Sequence, residues 1–100
     1  MSDAGPTVTR ASLTEAIVRR LGLSRAECRE LLDQTLSEIE GALLAGEPVK
    51  ITGFGTWELR DKRARPGRNP RTMEGVTITA RRVVSFRPSR LLREDLNRAR

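Results

Sequence analysis

Residues 60–71 read Arg60-Asp61-Lys62-Arg63-Ala64-Arg65-Pro66-Gly67-Arg68-Asn69-Pro70-Arg71. Six of these twelve residues are Arg or Lys, and Asp61 is the only acid. There is no bulky apolar side chain, so the stretch has nothing to bury and cannot make a core of its own. Strand-like runs flank it on both sides. Thr56-Trp57-Glu58-Leu59-Arg60 alternates before it, and Val76 to Phe86 alternates after it. A long unpaired loop is unusual in a compact domain unless it serves a function. The competing reading is a solvated loop; the favoured one is a two-stranded ribbon, an arm over about residues 58–80. In it Thr56–Lys62 pairs with Thr77–Val83, and Pro66-Gly67 and Asn69-Pro70 punctuate the tip. A free ribbon is marginal in water, so the tip is expected to be mobile until it touches a ligand.

Outward from the arm, Val49-Lys50-Ile51-Thr52 reads as a further strand. Gly53-Phe54-Gly55 reads as a turn or bulge that packs Phe54 inward. Upstream the period is helical. Leu31, Leu32, Leu36, Ile39 and Leu43 share one side of a helix opened by Ser24 with Glu27 three residues on, a capping box. That helix ends near Ala45, with Gly46 as its cap, and Cys28 is a buried filler on the same side. Leu13, Ile17 and Leu21 stripe an earlier helix over about Arg10–Leu21. Thr9 is preferred over Ser12 as its N-cap, with Val8 stapled on Leu13, and Gly22 stops it. Only Leu23 separates the two helical signals, so they form a helical hairpin. Downstream, Pro88 opens a short helix whose apolar side is Leu91, Leu92 and Leu96. Residues 1–8 read as a disordered tail and residues 9–100 as one domain. The fold class is α+β: a helical hairpin, a three-stranded antiparallel sheet with a protruding ribbon, and a C-terminal helix.

Charge is divided between the halves. Residues 1–49 hold five Arg against eight acids, net −3. Residues 50–100 hold fourteen bases, twelve of them Arg, against five acids, net +9. This asymmetry points to a polyanion bound by the second half. Arginine's planar fork suits phosphate oxygens and groove edges. Catalysis is poorly provided for. There is no His and no Tyr, and the single Cys28 has no imidazole partner. The usual proton shuttle, thiol–imidazole pair and zinc set are therefore missing, and no enzyme, cofactor, metal site or small-molecule ligand is expected. One cysteine and no membrane-spanning or signal-like run suggest a cytoplasmic protein. Outside tail and arm, little chain remains to build a core. All three aromatics, Phe54, Trp57 and Phe86, lie in the sheet region. Two chains are therefore expected to share a core made by these rings with Leu36, Ile39 and Leu43.

An Arg-rich ribbon tip fits the minor groove, whose narrow A·T stretches attract guanidinium groups. Proline is rigid and apolar with no N–H to satisfy, so it can wedge into a base step and kink the duplex. Composition leaves Pro66 and Pro70 both open as that wedge.

VKITGFGTWELRDKRARPGRNPRT followed by ITARRVVSFRPS resembles the HU/integration host factor family of bacterial DNA-bending proteins. The likeness covers residues 8 to about 97. RPGRNP, TARRVV and FRP are more like the family's alpha-type chains than its beta-type chains or HU. The resemblance implies an intertwined dimer with two arms around double-stranded DNA, formed with a beta-type paralogue or with itself. It makes Pro70 the intercalating wedge and leaves Pro66 at the strand-to-tip junction. It puts Arg65 and Arg68 in the minor groove, Arg81, Arg82 and Arg87 along the arm base and body, and Lys50 on flanking phosphates. With Arg60, Lys62, Arg63, Gly67, Asn69 and Arg71 these make the expected DNA-binding set. The implied role is a nucleoid-associated architectural protein supporting recombination, replication, and transcription and translation regulation. The alternatives are an HU-like nonspecific homodimer and, further off, an RNA-binding accessory protein. The chain departs from the family at Met73, where glycine is usual after the tip threonine, and carries Gly75 two residues later.

Overall fold

The computed structural model describes residues 6–100. The expected tail falls partly outside the described residues; Pro6, Thr7 and Val8 are exposed and carry no regular structure. In chain order the elements are α1 (Arg10–Leu21), α2 (Arg25–Leu44), β1 (Val49–Ile51), β2 (Gly55–Lys62), β3 (Arg65–Arg68), β4 (Gly75–Ile78), β5 (Arg81–Pro88) and α3 (Arg90–Ala99). The chain forms two compact units, one ending at Gly41 and one spanning Ala42–Arg100.

The helix boundaries follow from local chemistry. At α1 the Thr9 hydroxyl accepts the Ser12 N–H and the Ser12 hydroxyl accepts the Thr9 N–H, so Thr9 is the cap. Val8 is 69 % exposed, so it makes no buried staple. Gly22, in the left-handed region, ends the helix by donating to the Val18 carbonyl. The α2 box forms as expected: the Ser24 N–H donates to Glu27 at 3.0 Å and the Glu27 N–H to the Ser24 hydroxyl at 3.1 Å. The Ser24 backbone N–H, then its hydroxyl, hold the Glu27 carboxyl below its ordinary pKa. The far end closes with Glu47 N–H on the Ala42 carbonyl and Gly46 N–H on that of Leu43, a Schellman motif. Within the first unit Arg25 bridges to Glu15 at 2.5 Å and Arg10 pairs with Asp33. Cys28 is fully buried there, as a filler should be.

In the second unit β1, β2 and β5 form an antiparallel sheet in that order, and β3 pairs with β4. The strands run in a different register from the expected one. Thr56 faces Arg87 and Lys62 faces Arg81, four residues on from the expected Val83 and Thr77. The aromatic end fixes this. Trp57 lies directly opposite Phe86, with ring centroids 4.9 Å apart, and Phe54 joins them at 5.5 and 5.9 Å. A Cβ on Gly55 would stand 2.4 Å from the Phe86 ring and 2.7 Å from the Arg87 carbonyl, so only glycine admits the ring here. Contrary to expectation, each long strand is interrupted. The ladder stops at Lys62–Arg81 and resumes at Arg65–Ile78, leaving two residues on each side unpaired, Arg63-Ala64 and Thr79-Ala80. Alanines contribute little cross-strand contact, so this is where a ribbon parts most cheaply. The expected start of the last helix also moves. Pro88 ends β5, and Ser89 caps α3 by accepting the Leu92 N–H at 3.0 Å.

Burial is sparse. Among the described residues, Leu32 and Thr14 are buried beside Cys28, while fourteen large apolar side chains are 39 % exposed or more. Phe54 is 46 % exposed and Phe86 40 %, so Phe54 does not pack inward within one chain. Leu36, Ile39, Leu43 and Trp57 are half-buried. So much open apolar surface is uncommon in a protein that works alone.

Candidate nucleic-acid interface

Side chains alternate across a strand, so the register sorts the β1–β2–β5 sheet into two faces. One face carries the rung Lys50–Thr56–Arg87 and then Glu58, Arg60, Lys62, Ser85, Val83 and Arg81. The other carries the rung Val49–Trp57–Phe86, then Leu59 with Val84, then Asp61 with Arg82. Apart from Val83, the apolar side chains lie on one side and most of the cations on the other. Two expected binding residues are engaged within the chain. Arg87 donates to Glu58 at 2.9 Å across the basic face. Arg82 lies on the opposite face and donates through Nε to Asp61 at 2.7 Å. The Arg82 hydrogen bond, reinforced by its charge, holds the Asp61 carboxyl below its ordinary pKa. Among the described residues, Lys50, Arg60, Lys62, Arg63, Arg65, Arg68, Arg71 and Arg81 make no ion pair, and all are exposed.

Beyond the break, β3 and β4 make four rungs: Arg65–Ile78, Pro66–Thr77, Gly67–Val76 and Arg68–Gly75. Arg65 and Arg68, three residues apart on one strand, therefore project from opposite faces. Gly67 leaves room for the Ile78 side chain. A Cβ there would stand 2.7 Å from Ile78 Cδ1. The tip is held by its own bonds. The Asn69 N–H donates to the Glu74 carbonyl at 2.9 Å, and the Asn69 carbonyl accepts the Met73 N–H at 2.7 Å. Asn69 Oδ1 accepts the Arg71 N–H at 2.9 Å, which places Pro70 at the apex of an Asx turn. Pro70 is exposed. Met73 has φ 64°, the left-handed region where glycine is at ease.

The sequence reading missed a second cationic group. Lys50, Arg87, Arg90 and Arg93 surround a hollow of 440 Å³ together with the Gly53 turn and Ser89. The Ser89 N–H donates to the Phe54 carbonyl at 2.9 Å, which ties the start of α3 to that turn. Arg90 also reaches Glu94 at 3.1 Å; among the described residues Arg93 has no acidic partner. The spacing of Arg87, Arg90 and Arg93 was the available signal. It is masked when Pro88 is placed inside the helix, since Pro88 belongs to β5 and the helix begins at Arg90.

Comparison with known proteins adds independent findings. The family model described as "Bacterial DNA-binding protein" matches residues 8–97. Integration host factor subunit alpha of Erythrobacter litoralis is 54 % identical over 96 % of this chain and 96 % of its own length. The subunit alpha of Escherichia coli O9:H4 is 48 % identical over 93 % of this chain and 94 % of its own. Among solved structures, Anabaena HU in a cocrystal with DNA superposes with TM-score 0.80 at 32 % identity, covering 89 % of this chain and 97 % of that one. A mutant HU from Thermotoga maritima superposes with TM-score 0.64 at 25 % identity, covering 89 % and 99 %.

Proposed function

Because this chain belongs to the family of bacterial DNA-binding proteins, we propose that it is an architectural subunit of the integration host factor alpha type that bends duplex DNA. One observation carries this reading: an exposed ribbon end whose Arg63, Arg65, Arg68 and Arg71 meet no carboxylate among the described residues, with a proline at its apex. The similarity to an HU crystallised with DNA supports DNA as the ligand. In this reading Arg65 and Arg68, on opposite faces of the ribbon, meet the two walls of a minor groove. Pro70 enters a base step, unstacks it and kinks the duplex. Arg60, Lys62, Arg63, Arg71 and Arg81 neutralise phosphates along the arm. Lys50, Arg87, Arg90 and Arg93 hold phosphates on the bent flank, and Arg82 joins them on leaving Asp61. Smooth bending costs about 1–6 kcal/mol and each unstacked step a few more, so the flank contacts must exceed that sum. Few side chains here suit base edges in a major groove, so specificity comes from groove shape and deformability.

The open apolar face supports a shared core. Residues 9–100 act as one domain of an intertwined dimer in which Leu36, Ile39, Leu43, Phe54, Trp57 and Phe86 meet those of a beta-type partner. The protein works without catalysis in the cytoplasm, on the nucleoid. The test is end-to-end energy transfer on a labelled duplex, titrated with the assembled protein at several salt concentrations. The ends should approach and affinity should fall steeply with salt. A pure single chain that bends every duplex equally would favour the HU-like homodimer. Tighter binding to structured RNA than to duplex DNA under competition would replace the reading altogether.

A further inference from the structure

The tip holds a feature that the wedge does not use. Met73 occupies a left-handed backbone position, φ 64°, that suits glycine and disfavours a side chain. Gly75, two residues on, shows no left-handed φ, and a Cβ there would meet nothing within 4 Å. The loop thus places glycine where none is required and a long thioether where glycine would be easier. The folded chain covers less than half of Met73, which is 61 % exposed. Yet its position is fixed: its N–H donates to the Asn69 carbonyl at 2.7 Å, closing the single turn that carries Pro70. It is thus strained, exposed and anchored beside the apex, where a ligand of the tip would meet it.

We infer that Met73 is a second apolar contact at the arm tip, lying on the minor-groove wall of duplex DNA beside the step that Pro70 opens. This rests on the DNA-bending reading. An unbranched, polarisable side chain adapts to an irregular apolar surface such as a sugar edge beside an unstacked base. Burying it there offsets part of the unstacking cost and lengthens the lifetime of the bend.

The experiment uses the full chain assembled with the partner it purifies with. The probe is an end-labelled duplex carrying 2-aminopurine beside a flexible pyrimidine–purine step. Met73→Gly relieves the backbone and Met73→Leu keeps apolar volume. The expected result is that Met73→Gly binds about fivefold more weakly, with less energy transfer and less 2-aminopurine brightening, while Met73→Leu stays within about twofold of wild type. Unchanged thermal melting of both variants separates this from misfolding. If Met73→Gly binds and bends as well as wild type, the inference is overturned, because the side chain is then merely tolerated. Pro70→Ala, run alongside, reports on the underlying reading: loss of bend in Pro70→Ala with no change in Met73→Gly removes the second contact and leaves the wedge standing.

Discussion

The two halves of the ribbon are built to opposite ends. The proximal ladder, β2 with β5, runs for eight rungs from an aromatic cluster, and each of its two acids holds an arginine. The distal ladder, β3 with β4, has four rungs and, among the described residues, no ion pair. The proximal half pairs both of its acids and keeps a shape, while Arg60, Lys62 and Arg81 stay without an ion pair among the described residues. The distal half leaves its arginines exposed and without an ion pair among the described residues, and its tip is held by backbone bonds. An arm that must bind a polyanion has to be stabilised by something other than its own electrostatics, because every internal carboxylate competes with a phosphate.

This contrast breaks at particular residues. The largest effect is expected from Gly55→Ala. Its Cβ would stand 2.4 Å from the Phe86 ring, so the cluster that sets the register must move. A cost of about 2–3 kcal/mol, read as a lowered midpoint in urea, is expected for such overpacking. Next comes Arg65→Ala with Arg68→Ala. Melting should be unchanged, while DNA binding weakens and the slope of log affinity against log salt flattens by about two. An unchanged slope would mean these arginines touch no phosphate. Asp61→Asn should make the proximal half resemble the distal one. It releases Arg82, so affinity for duplex rises slightly and the salt slope steepens by up to about one. The smallest effect lies outside the arm. The lowered pKa of Glu27 means its contribution to helix stability is present above the ordinary carboxylate range and is lost as pH falls through the lowered value. Glu27→Gln should therefore reduce the dependence of helical melting on pH between neutral and acid, as followed by circular dichroism.

The helices were legible because their signals are local. Thr9, Gly22, Ser24 with Glu27, and Gly46 each act within a turn of their own position, and each is where the sequence placed it. The cationic arm was legible from composition alone, since Arg60–Arg71 contains nothing to bury. The register was not legible, because both strands alternate over long runs and many offsets keep apolar residues on one face. What selects one is the fit of Phe86 over Gly55, a contact between residues 31 apart. Nor did alternation reveal which arginines find acids. Arg82 with Asp61, and Arg87 with Glu58, follow only once the four-residue shift is known. Arg90 and Arg93 were obscured because one proline was given to a helix that begins two residues later.

The proposed bend depends on the ring at the ribbon's apex. The direct measurement compares wild type with Pro70→Ala, each assembled with its partner chain, by energy transfer between the ends of a labelled duplex. The variant is expected to retain most of its salt-sensitive affinity while the ends of the duplex stay farther apart. An end-to-end distance identical to that of wild type, at saturating protein, would contradict the proposed role of the ring.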